Sequence, residues 1–401
     1  MVDVVTELRQ YLFANPDVYR AFALAVRIVL RMNIPQLEQL GIRSLNDYLD
    51  FYETLLNWVP TETSDGRNIY YHLCIFYFIL DQLPLRLLQT PILPTSTPPY
   101  TWLSDWVISF AKAMGANMDK PESLTPESLQ TFYDAPSYRM EDYIVPEGGW
   151  QNFNEFFARE LKPGLRPIDA PDDSRVIVGS ADSVFDGFWL IEDEGVVYLK
   201  YIPWPVKLLL ADSAYGDQFD GGAFTHSFLA PNDYHRQHAP VSGTVLEAKV
   251  IPGLCYLEVE ATTGTDGKIS FGMRRGLPEA EIGRGARKWR RRRGEVPPND
   301  DINAPNSPGY QFLQARGLIV IDNPVLGLVA VLPVGMAQIS SVVLSVQPGQ
   351  QVEKGDEISY FQCGGSDCVI VFQKGANVQF TATIGEHYNY GEKIAESVPD
   401  D

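Results

Sequence analysis

Tyr360-Phe361-Gln362-Cys363-Gly364-Gly365-Ser366-Asp367-Cys368-Val369-Ile370-Val371-Phe372 decides how the C-terminal part of the chain reads. Aromatic and apolar residues flank a glycine pair on both sides, the pattern of two strands joined by a turn. Two consecutive glycines allow backbone conformations closed to other residues. That freedom would let the Ser366 hydroxyl approach the carbonyl of Gly365. Taken alone, the run reads first as a plain strand-linking turn.

The same β character extends outward. Val176-Ile177-Val178, Val196 to Leu199, Gly243 to Ile251, Cys255 to Val259, Leu318 to Ile321, Val329 to Leu332 and Val342 to Val346 are short β-rich runs separated by Gly, Pro and Asp. The first third differs. Asn15-Pro16-Asp17 reads as a cap with proline at the first helical position, opening a helix through Leu30. Ser44 opens another, with Leu45, Tyr48, Leu49, Tyr52, Leu55, Leu56 and Val59 at helical spacing and Pro60 as its stop. Asn68 to Asp81 reads as a buried helix, and Trp102 to Met114 as one closed by Gly115. The character changes after Trp150, and the expected class is therefore α+β: a helical N-terminal domain followed by a β-rich domain.

The chain has 401 residues and a formal net charge of -19. Such a surface repels nucleic acid and anionic membranes. Four irregularly spaced cysteines suit a reducing compartment. The N-terminus lacks the basic start and apolar block of a signal peptide. These features point to a cytoplasmic protein. The uncharged stretch Val325 to Gln347 is interrupted by Pro333, Gly335 and Gln338, and reads as buried strands, not a membrane span. Against the acidic trend stands Arg287-Lys288-Trp289-Arg290-Arg291-Arg292-Arg293, within a polar stretch from about 262 to 308. It reads as a solvated, mobile insert, or as a peripheral contact for anionic membrane with Trp289 as anchor.

Leu229-Ala230-Pro231-Asn232-Asp233-Tyr234-His235-Arg236-Gln237-His238-Ala239-Pro240 holds two of the five histidines. Val178-Gly179-Ser180-Ala181-Asp182-Ser183 puts an aspartate just after a strand. Phe153-Asn154-Glu155-Phe156-Phe157-Ala158-Arg159-Glu160-Leu161-Lys162-Pro163-Gly164-Leu165-Arg166-Pro167-Ile168-Asp169 joins the two parts. With the Gly-Gly-Ser run, these segments resemble the phosphatidylserine decarboxylase family from about Gly148 to Lys374. The likeness is greater to the branch with an extra N-terminal region that contains the tryptophan decarboxylase of psilocybin biosynthesis, which implies an N-terminal domain over 1–147 and a catalytic domain over 148–401. Asp142-Tyr143-Ile144-Val145-Pro146 and Ala315-Arg316-Gly317-Leu318 carry that second likeness.

The resemblance implies self-cleavage between Gly365 and Ser366. Ser366 attacks the Gly365 carbonyl, elimination from the resulting ester leaves dehydroalanine, and water releases ammonia to leave a pyruvoyl group. A serine needs a base. By resemblance this is His238, supported by Asp182, with Asp186 four positions on as its competitor. The pyruvoyl cofactor then forms a Schiff base with an amine substrate and draws off the electrons left by CO2. His235 is assigned to protonate the α-carbon, on the expectation that its pKa lies near operating pH. The implied substrate is a free aromatic L-amino acid such as tryptophan, with phosphatidylserine as the alternative and a non-catalytic amine- or lipid-binding relative as the second. The two fragments would stay together, and a homodimer is open. No metal is expected, although i, i+3 histidines do occur in metal sites. Two departures stand out: the family usually has glycine where Ser183 lies, and its classical lipid decarboxylases have threonine where Asp367 lies. His72, His226 and His387 carry no functional signal.

Overall fold

The computed structural model describes residues 3–199, 202–211, 213–263, 269–274, 309–335 and 341–398. The basic run Arg287 to Arg293 lies outside them.

The five longest helices are α1 (Val4–Ala14), α2 (Pro16–Leu30), α3 (Leu45–Leu56), α4 (Asn68–Leu80) and α5 (Trp102–Met118). Asp3 caps α1 by accepting from the backbone N–H groups of Val5 and Thr6. Ser44 caps α3 through the N–H of Asp47 at 3.2 Å. Every residue of α4 from Leu73 to Leu80 is buried. Each large apolar side chain so buried contributes about 1.5–3 kcal/mol. This explains why α4 has no polar face.

Two helix ends differ from the expectation. The helix α3 stops at Leu56, before Pro60, with Asn57 as its C-cap. Gly115 does not close α5, which continues to Met118.

The second part is built on an eight-stranded sheet. Its strands are β1 (Ser183–Leu190), β2 (Ala223–Phe228), β3 (Gly243–Ile251), β4 (Arg316–Asn323), β5 (Gly327–Gly335), β6 (Gln351–Val352), β7 (Gly365–Phe372) and β8 (His387–Tyr388), in the order β6-β3-β4-β5-β7-β2-β1-β8. Every neighbouring pair is antiparallel. Both faces of β7 are covered. Cys368, Ile370 and Phe372 join one hydrophobic core, and Val369 and Val371 the other. The uncharged stretch from Val325 supplies β5 and the strand Val342–Leu344. Among the described residues no helix is long and apolar enough to cross a membrane.

The helices pack directly on the β-rich part. The hairpin Glu258–Thr263 and Ile269–Arg274, which takes in the first residues of the stretch read as an insert, lies on α4. The Val259 N–H donates to Asp81 at 2.9 Å, and Phe78 meets Phe271 edge-on.

Candidate active site

Strands β7, β2 and β1 are adjacent, and their site-bearing ends coincide. Asp367 of β7 and Val184 of β1 both register with Phe228, the last residue of β2. Asp182 comes just before β1, the histidine loop begins just after Phe228, and Ser366 immediately precedes Asp367. The sheet thus gathers segments far apart in sequence at one end of three neighbouring strands.

The backbone at Ser366 is irregular. Between β7 and β5, Asp367 pairs with Val334 and Gly365 with Gly335, which leaves Ser366 as the extra residue of a β-bulge. Gly364 before it has φ +106°, a conformation that favours glycine. The chain is thus released from the regular ladder at Ser366.

The histidines lie on the approach to this bulge. The strand Arg236–His238 pairs with Glu357–Phe361, and the Phe361 N–H donates to the His235 carbonyl at 2.9 Å. The His238 Nδ1 lies 2.7 Å from the Gly355 carbonyl. A carbonyl can only accept, so Nδ1 carries the hydrogen and Nε2 keeps its lone pair. That lone pair accepts from the Tyr234 hydroxyl at 3.2 Å. Burial lowers the pKa of His238, opposed by the Gly355 hydrogen bond and the nearby carboxylates of Glu357 and Asp182. A neutral ring with a basic Nε2 results.

Asp182 is completely buried. The Arg166 side chain grips it, with Nε 3.0 Å and Nη2 2.5 Å from Oδ2, and the Tyr390 N–H donates to Oδ1 at 2.9 Å. The described hydrogen bonds of Asp182 run to Arg166 and Tyr390, and that of His238 Nδ1 to Gly355. Asp182 and His238 are held together differently. The His238 N–H donates to the Ser180 carbonyl at 2.7 Å, and its ring lies flat on Tyr390 at 3.7 Å and 4°. Tyr390 thus touches both residues, its N–H on Asp182 and its ring on His238, while the Asp182 carboxylate favours the charged form of His238 from a distance. Arg166, Tyr390 and Tyr234 were not singled out as site residues in the sequence. Arg166 lies within the joining segment, but nothing in that segment names Asp182 as its partner.

His235 is buried against Phe157, ring on ring at 4.0 Å. Its Nε2–H donates to the Pro231 carbonyl at 3.3 Å, and its Nδ1 meets no polar partner among the described residues. Burial, reinforced by the Arg159 cation, drives its pKa down to about 3. The expectation of a pKa near operating pH is therefore corrected: this ring is neutral, with its one hydrogen on Nε2. Arg159, caged by Tyr138, Tyr143 and Phe156, reaches the Asn232 and Asp233 carbonyls and fixes the histidine loop. The competitor Asp186 turns away, to His226 at 3.1 Å.

Two cavities flank the segment that leads to Ser366, of about 470 and 680 Å³. Asp119, Asn154 and Gln362 line both. Asn154 Oδ1 accepts from the Cys363 N–H at 3.0 Å. The smaller cavity is walled on one side by α5, including Ala111, Gly115 and Ala116. Gly115, which continues the helix, lines this cavity.

The family described as phosphatidylserine decarboxylase matches residues 153–396. The chain is 29% identical over 292 residues to decarboxylase iboD of Amanita muscaria, covering 67% of this chain and 74% of that protein. It is 30% identical over 265 residues to phosphatidylserine decarboxylase proenzyme 3 of Schizosaccharomyces pombe, covering 66% of this chain and 23% of that longer protein. Against the phosphatidylserine decarboxylase proenzyme of Fusobacterium nucleatum it is 28% identical over 273 residues, covering 68% and 74%. Asp182, His235, His238 and Ser366 all fall inside the matched span, and the chain belongs to the phosphatidylserine decarboxylase family and is a carboxy-lyase.

Proposed function

We propose that the chain is a proenzyme that cuts itself between Gly365 and Ser366, carries a pyruvoyl group made from Ser366, and decarboxylates a free aromatic L-amino acid, with tryptophan the first candidate. The observation that carries the self-processing is the bulge at Ser366, at the sheet end where Asp182 and the histidine loop also lie.

In the first stage the basic Nε2 of His238 takes the Ser366 hydroxyl proton, once the Tyr234 hydroxyl that now occupies it gives way. The buried charge of Asp182 favours the imidazolium that forms. The Ser366 oxygen bonds to the Gly365 carbonyl carbon, the Gly365–Ser366 C–N bond breaks, and the proton passes to the released nitrogen.

A pyruvoyl group supplies a carbonyl that condenses with an amine and accepts electrons as CO2 leaves. In that second stage His235, assigned as the proton donor to the α-carbon by resemblance, must first take up a proton at its unpartnered Nδ1 in the substrate-bound site, since the neutral ring is not itself an acid near neutral pH.

Support for a free amino acid comes from the 470 Å³ cavity between α5 and the sheet, a volume suited to one small molecule. The Amanita muscaria relative is named simply a decarboxylase. The names of the other relatives favour a second reading, phosphatidylserine decarboxylation.

Intact mass of the denatured protein tests the first stage. Two fragments split after Gly365, with the smaller one lacking the mass of ammonia, are expected. One persistent full-length mass would sink the proposal and favour a non-catalytic binding protein. Parallel assays on tryptophan and on phosphatidylserine vesicles test the substrate. Turnover of vesicles alone would end the amino-acid reading.

A further inference from the structure

Asp367 stands next to Ser366, and its side chain is completely buried. So is that of His226 on β2. Residue 369 of β7 registers with His226, so Asp367 lies diagonally from His226 on the same sheet face. His226 Nε2 is 3.5 Å from Asp367 Oδ2, and its Nδ1 is 3.1 Å from Asp186 Oδ2 on β1. The Gln311 amide lies 3.3 Å from the same Nε2. Three adjacent strands therefore carry a row of carboxylate, imidazole and carboxylate. The surrounding face is apolar, with Trp189, Phe224, Val334 and Val369. A carboxylate there is tolerated as an ion only beside a compensating charge.

We propose that His226 and Asp367 are positioning residues for self-cleavage: their pairing pins the residue after the Ser366 bulge and balances the carboxylate nearest the bond that changes. The inference rests on Gly365–Ser366 being the bond that is cut. Two physical arguments support it. The bulge leaves Ser366 off the ladder while Asp367 is back in register on both sides, so whatever anchors Asp367 sets the position of Ser366. Elimination also removes the Ser366 α-proton and places negative charge on the Ser366 carbonyl, in the peptide unit shared with Asp367. An uncompensated carboxylate on Asp367 would oppose that charge, and an imidazolium beside it offsets the opposition. The groups facing His226 are Asp186 from β1, Asp367 from β7 and the neutral Gln311. The two carboxylates hold its pKa up to about 9 despite burial.

The test uses the full chain made by cell-free translation, with cleavage timed by denaturing gel and intact mass. His226→Gln should slow cleavage about ten- to a hundred-fold at neutral pH. Asp367→Asn, nearly isosteric, should slow it less. It should also move the alkaline limit of the cleavage rate to lower pH by about one unit, since His226 loses one counter-charge. The double variant, with neither charge, should recover most of the rate and lose the alkaline limit. A purely structural role predicts additive losses and an unmoved pH profile. That result, or wild-type rates in all three variants, overturns the proposal. Should His226→Gln fail to fold, Asp367→Asn and its pH profile decide the matter alone. A wild-type chain that never cleaves defeats the underlying reading as well, and is told apart by its full-length mass.

Discussion

Two buried carboxylates sit near the bulge, and they are neutralised in different ways. Asp182, at the strand ends, is held by a guanidinium with contacts down to 2.5 Å. Asp367, inside the sheet, faces an imidazole at 3.5 Å. Arginine stays charged at every pH a protein survives, whereas a histidine can release its proton. The first region is therefore a permanent charge pair and the second a titratable one. The histidines divide along the same line. His235 and His226 are both buried, yet one is driven to about 3 beside Arg159 and the other to about 9 between two carboxylates. Burial alone pushes both down, and the neighbouring charge decides the final direction.

The largest expected effect separates the two histidines of the loop. His238→Ala removes the base and should slow cleavage about a hundred-fold or more. His235→Ala should cleave normally and decarboxylate poorly. Timed intact mass and CO2 release read the two stages separately. The reverse pattern would show the assigned roles exchanged.

Next in size is the permanent pair. Asp182→Asn leaves the Arg166 guanidinium nearly buried beside a neutral group, its side chain 6% exposed. Breaking a buried pair in this way costs about 3 kcal/mol or more. Urea unfolding should show the loss equally at pH 6 and pH 9. A loss confined to one pH would break the contrast with His226.

Much of this architecture was legible because periodicity is local. The helix α3 follows from Ser44 and the spacing of Tyr48, Leu49, Tyr52 and Leu55, all buried. The strand Gly243–Ile251 follows from its own β-branched run. The histidine loop and the Gly-Gly-Ser run stood out through their resemblance to a family. What stayed hidden depends on register. His226 on its own carries no functional signal, and only the pairing of β2 with β7 and β1 puts it between Asp186 and Asp367. Arg166 and Asp182 are likewise joined by the fold, across a gap in sequence that no helical or strand period explains. Gly115 misled because a glycine near a helix end usually stops it, whereas here the helix runs on to bury Asn117 and Met118.

The titratable pair makes the third prediction. Folding raises the His226 pKa from 6.5 to about 9. The stability it adds is therefore complete below about pH 6.5 and lost as pH rises through 9. Its size is on the order of 3 kcal/mol. Urea unfolding from pH 6 to 9.5 should show wild type losing this increment and His226→Gln lacking the slope. Parallel pH curves for the two proteins would show that His226 keeps the same charge throughout.

The smallest effect asks how Asp182 reaches His238. The Tyr390 backbone N–H binds the carboxylate, while its ring lies flat on His238. Tyr390→Leu keeps the first contact and removes the second. Loss of such a stacked pair costs about 0.5–1.5 kcal/mol. If the ring shelf aligns the base, cleavage should slow several-fold while the unfolding loss stays small, and Tyr390→Phe should restore both, since the stack needs only the ring. If instead Asp182 acts on His238 through its field alone, Tyr390→Leu should lower stability and leave the cleavage rate unchanged. Measured together, rate and stability therefore tell a shelf that orients the base from one that only fills space.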